Sequence, residues 1–442
     1  MKFSPLKLWI FLCLAWWVAV CKKVIKLKPK ILIAPSEIAG YYANLCNGFR
    51  ALGQPYDFLT YTPHAYGYGG ETKKQEILIL QRNIYNRYIA NKKYLRVVSS
   101  IIFRTYKLLD KIHIIWTYCL IIKYDSFIFT FGDTLFADHR DVLLIRKLGK
   151  KIICQVGHGA EARPAYIDGA RHTDGDSLTD VSHLAEMAKD TYRNINFLEQ
   201  HADILICAPF SSQFLKLKCI NSFALGVPMT LNEETSDSGH YVNKTSVLRV
   251  LHSPSHKNVK GTSVILAAIN NLKLKGYEID FVTISGRPHS EVIAELKRCD
   301  FVIDQIYSDT PMAGFATEAA FFGKPAIVGG YGLEDLKTHI SADMWPPSKI
   351  CHPDDLEQAI EELIVNRSLR EELGRKSREF VRDRWSSTAV ATRFIDLIND
   401  NIPDEWWLDP NDVSYVNGGG QSIEQTRQIV NELVKKYGKS AL

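Results

Sequence analysis

The chain carries two series of short, continuously apolar, β-rich runs, and the runs in each series are separated by helical stretches. The first series is KILIAP (30–35), a helix over Glu37 to Leu52, YDFLTY (56–61), YDSFIFTF (124–131), a helix through Asp138 to Leu148, KIICQV (151–156), a helix near His183 to Gln200, and ADILICAP (202–209). The second is SVLRVLHS (246–253), a helix over Thr262 to Lys275, EIDFVTI (278–284), a helix over Ser290 to Arg298, FVIDQ (301–305), a helix over Gly314 to Phe322, and KPAIVGG (324–330). Strands with no polar alternation are covered on both faces, as in parallel sheets, and strand–helix alternation implies a doubly wound α/β fold.

Between the two series, Asn232 to Ser246 is polar and rich in turn formers, and it reads as a linker. The expected organisation is an N-terminal Rossmann-like domain over 29–235, a C-terminal one over 245–395 and a helical extension over 396–442, the two domains facing a cleft. In open α/β sheets ligands bind beyond the carboxyl ends of the strands, so chemistry is sought in the loops that follow them. The tail of the chain holds a charged helical region from Pro353 to Arg384, a helix through Ser387 to Asn399, a Gly-rich break at Gly418 to Gly420 and an amphipathic helix from Ser422 to Tyr437.

A length of 442 residues, 46% apolar and 23% charged, suits a folded, water-soluble body. The net charge of +5 is small for this length and argues against nonspecific nucleic-acid binding. Nine cysteines without a CxxC pair imply buried free thiols in a reducing compartment and no structural metal.

Leu8 to Cys21 are fourteen uninterrupted apolar residues. As a helix they span about 21 Å against a hydrocarbon core of about 30 Å. If Lys7 and Lys22 snorkel, Leu6 to Ile25 reaches spanning length, with Trp9, Trp16 and Trp17 suited to the interface. The reading is a retained membrane anchor over 1–28; an interfacial helix and a cleaved signal peptide are the alternatives. Lysines 22, 23, 26, 28 and 30 follow the segment, whereas only Lys2, Lys7 and the amino terminus precede it, which places the body on the cytoplasmic side. A second membrane cue is Arg82 to Lys123, basic and aromatic with Asp110 as its one acid. It reads either as a helix lying on an anionic leaflet or as an ordinary helix with a solvated basic face.

Chemistry concentrates in PMAGFATEAAFFGKPAIVGG, from Pro311 to Gly330. Gly314 and Phe315 open a helix whose first N–H groups can meet an anion, Glu318 lies about one turn in, and Gly323 ends the helix before the next strand. The segment GFATEAAFFGKPAIV resembles the donor-binding segment of GT-B glycosyltransferases, family 4 and its relatives, in which the glutamate of E-A-x-x-x-G-x-P holds the donor ribose. HSPSHKNVKGTSVILAAI resembles the first strand and helix of that family's C-terminal domain, and this implies that Lys257 and Lys260 meet the donor pyrophosphate. APSEIAGYYANLCNGFRALG resembles the opening turn of the N-terminal domain, with Ala39 and Gly40 at the Gly-Gly site. VGHGAEARPAYIDG resembles the loop whose histidine, here His158, faces the donor sugar. The sequence departs from the family at Thr310, where an acid is usual eight residues before Glu318 and Asp309 stands beside it, and at Ser255, where an arginine is usual before the Lys-Gly pair.

The resemblance implies a retaining transferase that uses a UDP- or GDP-sugar, needs no other cofactor or metal, and acts on a glycan or lipid-linked acceptor in polysaccharide synthesis. A nucleotide-sugar epimerase or hydrolase of the same fold and a catalytically silent scaffold subunit are the competing readings. The physical case is independent. A diphosphate leaving group gains negative charge as the glycosidic bond breaks, and lysines fixed in a strand-to-helix turn can take up that charge. Arg287, in SGRPHS, is a further donor-site candidate. His158, flanked by Gly157 and Gly159, is read as a sugar contact or catalytic helper, the alternative being a structural turn. Glu161 and Arg163 either pair to hold that loop or face the acceptor. Gly132 and Asp133 end a strand and are cleft candidates, whereas Asp174-Gly175-Asp176 reads as a solvated turn. No GxxxxGK[ST], HExxH or GxSxG motif is present.

Overall fold

The computed structural model describes residue 15 and residues 28–60, 73–74, 96–172, 181–230, 247–439 and 442. Apart from Ala15, the apolar run of the anchor lies outside the described residues, as do positions 82–95 of the basic segment, Asp174-Gly175-Asp176 and the linker. Among the described residues no helix is long and apolar enough to cross a membrane. The chain forms two compact units, residues 1–155 with 200–205, and residues 156–199 with 206–442.

The first unit is a parallel sheet. Its strands are β1 (Ile31–Ala34), β2 (Tyr56–Thr60), β3 (Lys73–Lys74), β4 (Ser126–Thr130) and β5 (Lys151–Gln155), in the order β5-β4-β1-β2-β3. Ile31 is in register with Tyr56 on one side and Ser126 on the other. All four residues of β1 are buried, as the unbroken apolar run requires. Helix α1 (Tyr41–Ala51) crosses from β1 to β2 and buries Tyr41, Tyr42, Leu45, Cys46, Gly48 and Phe49 on one face. Helix α2 (Arg96–Lys123) leads into β4, and α3 (Arg140–Lys147) joins β4 to β5.

Helix α4 (Val181–His201) ends across the boundary, and β6 (Ile204–Cys207) carries the chain back into the second unit. There β6 pairs in parallel with β7 (Cys219–Asn221). A five-stranded parallel sheet follows, built from β8 (Leu248–His252), β9 (Ile279–Thr283), β10 (Phe301–Ile303), β11 (Ala326–Gly329) and β12 (Lys349–Cys351) in the order β12-β11-β10-β8-β9. The direction of winding reverses between β8 and β10. The longer helices of this unit are α5 (Thr262–Leu274), α6 (His289–Leu296), α7 (Gly314–Phe321), α8 (Leu356–Val365), α9 (Arg367–Arg384), α10 (Ser387–Ile398) and α11 (Ile423–Tyr437), with short ones at Ser222–Leu225 and Leu333–Lys337, and a last short strand, β13 (Trp407–Leu408), pairs antiparallel with β7.

Period-two alternation sorts the strand residues onto two cores. Val250, Ile303 and Ile327 face Ile265, Ile269, Leu272, Ile360 and Leu363. Leu251, Val302 and Val328 face Ala316, Ala319, Ala320, Val381 and Trp385. Each large side chain so buried is worth about 1.5–3 kcal/mol. Ala208, Phe210, Phe223 and Ala224 join the second of these cores, so the compact units divide earlier in the chain than the polar stretch 232–246. The charged region 353–384 is two helices, because Asn366 leaves helical geometry and its side chain accepts the Leu369 N–H to start the second. Helix α11 opens with a Ser422/Gln425 capping box and buries Thr426, Ile429 and Leu433.

Candidate functional site

The carboxyl ends of β8 and β10 flank the switch in winding, the position at which open α/β sheets receive ligands. His252 closes β8 fully buried. Its Nδ1 lies 2.8 Å from the Ile303 carbonyl and its Nε2 2.9 Å from Thr262 Oγ1. A carbonyl only accepts, so the proton sits on Nδ1 and Nε2 takes the Thr262 hydroxyl. Burial pushes this imidazole below its ordinary pKa, so it is a neutral brace between the two strands and the start of α5. The turn between them ends at Gly261, with φ +70° and an added Cβ only 3.1 Å from Ile306, so a side chain is disfavoured there.

Lys260 is held in that turn by a backbone bond to the His256 carbonyl. Its ammonium donates to Gln305 Oε1 and lies 3.6 Å from Asp304 Oδ1. Gln305 donates to Ser308 Oγ (2.7 Å), which donates to the Thr310 carbonyl (2.7 Å), so the lysine is wired to the segment that opens α7. Lys257 is exposed at the head of the same turn. On α7, Gly314 is exposed and Phe315 partly buried, and the small residues Ala316, Ala319 and Ala320 are buried. Glu318, partly buried, presents Oε1 to His289 Nε2 at 2.6 Å, and Arg287 is exposed two residues earlier in that loop.

His158 follows β5 in a loop that folds onto Glu161. One carboxylate oxygen of Glu161 accepts the His158 N–H and the other accepts the Gly159 N–H, both at 2.8 Å. Burial pushes the His158 imidazole down to about 4, so it is neutral at pH 7. Glu161 and Arg163 do not pair, contrary to one sequence expectation. Arg163, 3% exposed, binds Asp168 at 3.0 Å and Asp309 at 2.7 Å. Asp309 also accepts from the Tyr415 hydroxyl (2.9 Å) and the Gly419 N–H (3.0 Å). The acid beside Thr310 is thus spent on tying the His158 loop and the C-terminal tail to the segment before α7, and Arg163 is placed as an internal strut rather than on an open acceptor surface.

In the first unit, Gly40 begins α1 with φ +83°, following Ala39 at φ +47°. Glu37 accepts the N–H groups of Ile38 (2.8 Å), Tyr42 (3.2 Å) and Ala43 (2.9 Å), filling the helix start with its own carboxylate. Ser36 and Thr130 bond reciprocally across the ends of β1 and β4, and the chain turns after β4 at Phe131 and Gly132, both with positive φ. Asp133 Oδ2 lies 3.4 Å from Ser36 Oγ at the same edge. Among the described residues no three His, Cys, Asp or Glu side chains converge as a metal site needs. Sequence reasoning missed His252, His289, Asp304 and Gln305. For His252, Asp304 and Gln305 the available signal was in the strands themselves: HS and DQ are polar pairs that close largely apolar runs, whereas His289, at a helix start, had none.

By sequence the chain matches no family model and no curated protein. Among solved structures it is similar to a TarM mutant from S. aureus, in complex with fondaparinux, alpha-GlcNAc-glycerol and UDP, with TM-score 0.52, 10% identity, and coverage of 84% of this chain and 100% of that one. It also matches sucrose-phosphate synthase from Thermosynechococcus elongatus (TM-score 0.46, 13% identity, 85% and 99% covered) and Anabaena HepE with UDP-glucose (TM-score 0.45, 11% identity, 84% and 99% covered). The TarM likeness establishes a GT-B fold with Rossmann-like parallel sheets.

Proposed function

We propose that the chain is a glycosyltransferase of the family 4 type, which moves a sugar from a UDP- or GDP-sugar to a glycan or lipid-linked acceptor. The observation that carries this reading is the convergence of Lys260 and the opening of α7 on the switch between β8 and β10, with Glu318 one turn into that helix. TarM, which has this fold, binds UDP.

In this reading Glu318 holds the donor ribose, and Lys257, Lys260 and the free N–H groups from Gly314 and Phe315 receive the diphosphate. A unit charge pair at 4 Å is worth about 4 kcal/mol at an effective dielectric of 20, so these cations lower the barrier by several decades if their interaction strengthens as the bond breaks. Lysines supply the charge that a metal ion would otherwise bring. Arg287 borders the donor from the next loop. Neutral His158 contacts the transferred sugar by hydrogen bonding. In a retaining transfer, the outcome the family resemblance implies, the departing phosphate takes the acceptor proton itself, so no strong general base is required.

The body lies on the cytoplasmic side of a membrane that holds the acceptor. Supporting this, α2 exposes Leu108, Ile112 and Ile115, 59%, 40% and 66% accessible, at helical spacing beside exposed Arg104 and Lys111. An apolar strip edged with cations suits an anionic leaflet.

The test is a donor panel read by nucleotide release, with and without lipid-linked acceptor, on wild type and Glu318→Ala. Acceptor-dependent release lost in the variant supports the transferase. Release or epimerisation of donor alone points to the hydrolase or epimerase. The engagement of Asp309 by Arg163, Tyr415 and Gly419 favours a silent scaffold as second reading, and calorimetry showing no binding of UDP or GDP would establish it.

A further inference from the structure

Asp304 is a buried carboxylate in an unusual setting. Its side chain is 1% exposed, neither oxygen accepts a hydrogen bond from the described residues, and the cation in ion-pair range is Lys260 at 3.6 Å. Elsewhere in the same unit a buried ion pair is built to stay: Arg163 grips Asp168 and Asp309 at 3.0 and 2.7 Å. Buried charge without hydrogen bonds costs free energy and is retained only where something requires it. The lysine meanwhile spends a hydrogen bond on Gln305, and it is 18% exposed on a flexible stem, so it has another place to go.

We propose that Asp304 is a positioning residue that draws Lys260 back from the mouth of the switch-point crevice, so that a nucleoside diphosphate must compete with it for the lysine's charge. This rests on the donor reading above and deepens it. A diphosphate arriving outside β8 and β10 pulls the ammonium outward, away from Gln305. When the nucleotide leaves, the unpaired carboxylate recaptures the lysine. The chain Gln305–Ser308–Thr310 carries the same movement to the segment that opens the Glu318 helix. Asp304 therefore weakens the grip on product while keeping the lysine in reach of substrate.

The experiment is calorimetry with UDP and GDP on the full chain, comparing wild type, Asp304→Asn, Lys260→Met and the double variant, with a melting curve for each and donor KM and kcat measured alongside. Asp304→Asn is expected to tighten nucleoside diphosphate binding about tenfold at low salt, by removing a competing charge near the ammonium. The gain shrinks as salt rises and disappears in the Lys260→Met background, and kcat falls while KM for donor falls with it. If Asp304→Asn does not fold, Asp304→Ser is measured with the same expected sign. A lower melting temperature with unchanged nucleotide affinity would mark a purely structural role and overturn the proposal, as would a gain that survives Lys260→Met. Wild type that binds neither UDP nor GDP sinks the donor reading and this inference together. Wild type that binds while the variants show no gain sinks this inference alone.

Discussion

His289 Nε2 lies 2.6 Å from Glu318 Oε1, joining the start of α6 to α7 one turn in. The glutamate singled out for ribose binding is therefore already in a hydrogen bond to a titratable group. That bond raises the imidazole pKa above its ordinary 6.5, with burial opposing it. A raised histidine pKa stabilises the fold fully below the unfolded value, and the contribution is lost as pH rises through the folded value. Glu318→Ala is expected to lower the His289 imidazole pKa, because the bond that raises it is lost while burial remains, followed by NMR of its ring protons. An unchanged titration would show that the pair does not form in solution.

Arg163 is 3% exposed between Asp168, 0% exposed, and Asp309. Removing one partner of a buried pair leaves uncompensated charge and costs about 3–5 kcal/mol. Arg163→Met should lose about that much in urea unfolding. Adding Asp168→Asn should recover part of it, because one orphaned charge goes with it. Equal losses in the single and double variants would mean that the arginine acts through packing alone.

The strands were readable because parallel sheets bury both faces, and KIICQV or KPAIVGG has no other use for such a run. The helix at Glu318 was readable because Gly314 and Gly323 bracket it. The polar interior of the site was not. Asp304 and Gln305 are two residues at the end of FVIDQ, and nothing local says that one loses its hydrogen bonds while the other takes Lys260. Arg163 and Asp309 are 146 positions apart, so their pairing is a property of the tertiary fold. The short strands Cys219–Asn221, Lys349–Cys351 and Trp407–Leu408 are too brief to carry a period.

Gly226 ends a short helix with φ +82° and ψ −175°, a region open essentially to glycine, and a Cβ there would sit 2.2 Å from Trp385 Cδ1. The neighbouring segment is pinned by Met229 N–H to the Trp385 carbonyl (2.7 Å) and Ser387 N–H to the Met229 carbonyl (2.8 Å), so neither side can retreat. Strain of about 1–3 kcal/mol and overpacking of similar size add. Gly226→Ala should therefore lower stability by about 2–6 kcal/mol, read by thermal or denaturant unfolding. A variant within 0.5 kcal/mol of wild type, roughly the range of neutral surface changes, would contradict this packing.

The pH dependence of His158 runs opposite to that of His289. Burial pushes its imidazole down to about 4, so the folded protein holds it neutral while the unfolded chain protonates it near 6.5. Between those values the unfolded state binds more protons, and stability falls as pH drops from 6.5 toward 4. NMR should show no titration of this ring between pH 6 and 8. The pH–rate profile should owe its acid limb near 4, not near 6.5, to this residue. His158→Gln keeps hydrogen-bonding capacity without a titrating group, so it should preserve stability at pH 5 better than wild type while lowering turnover. A limb above 6.5 that survives in His158→Gln belongs to a different group, and its disappearance in His289→Gln would assign it to the pair with Glu318.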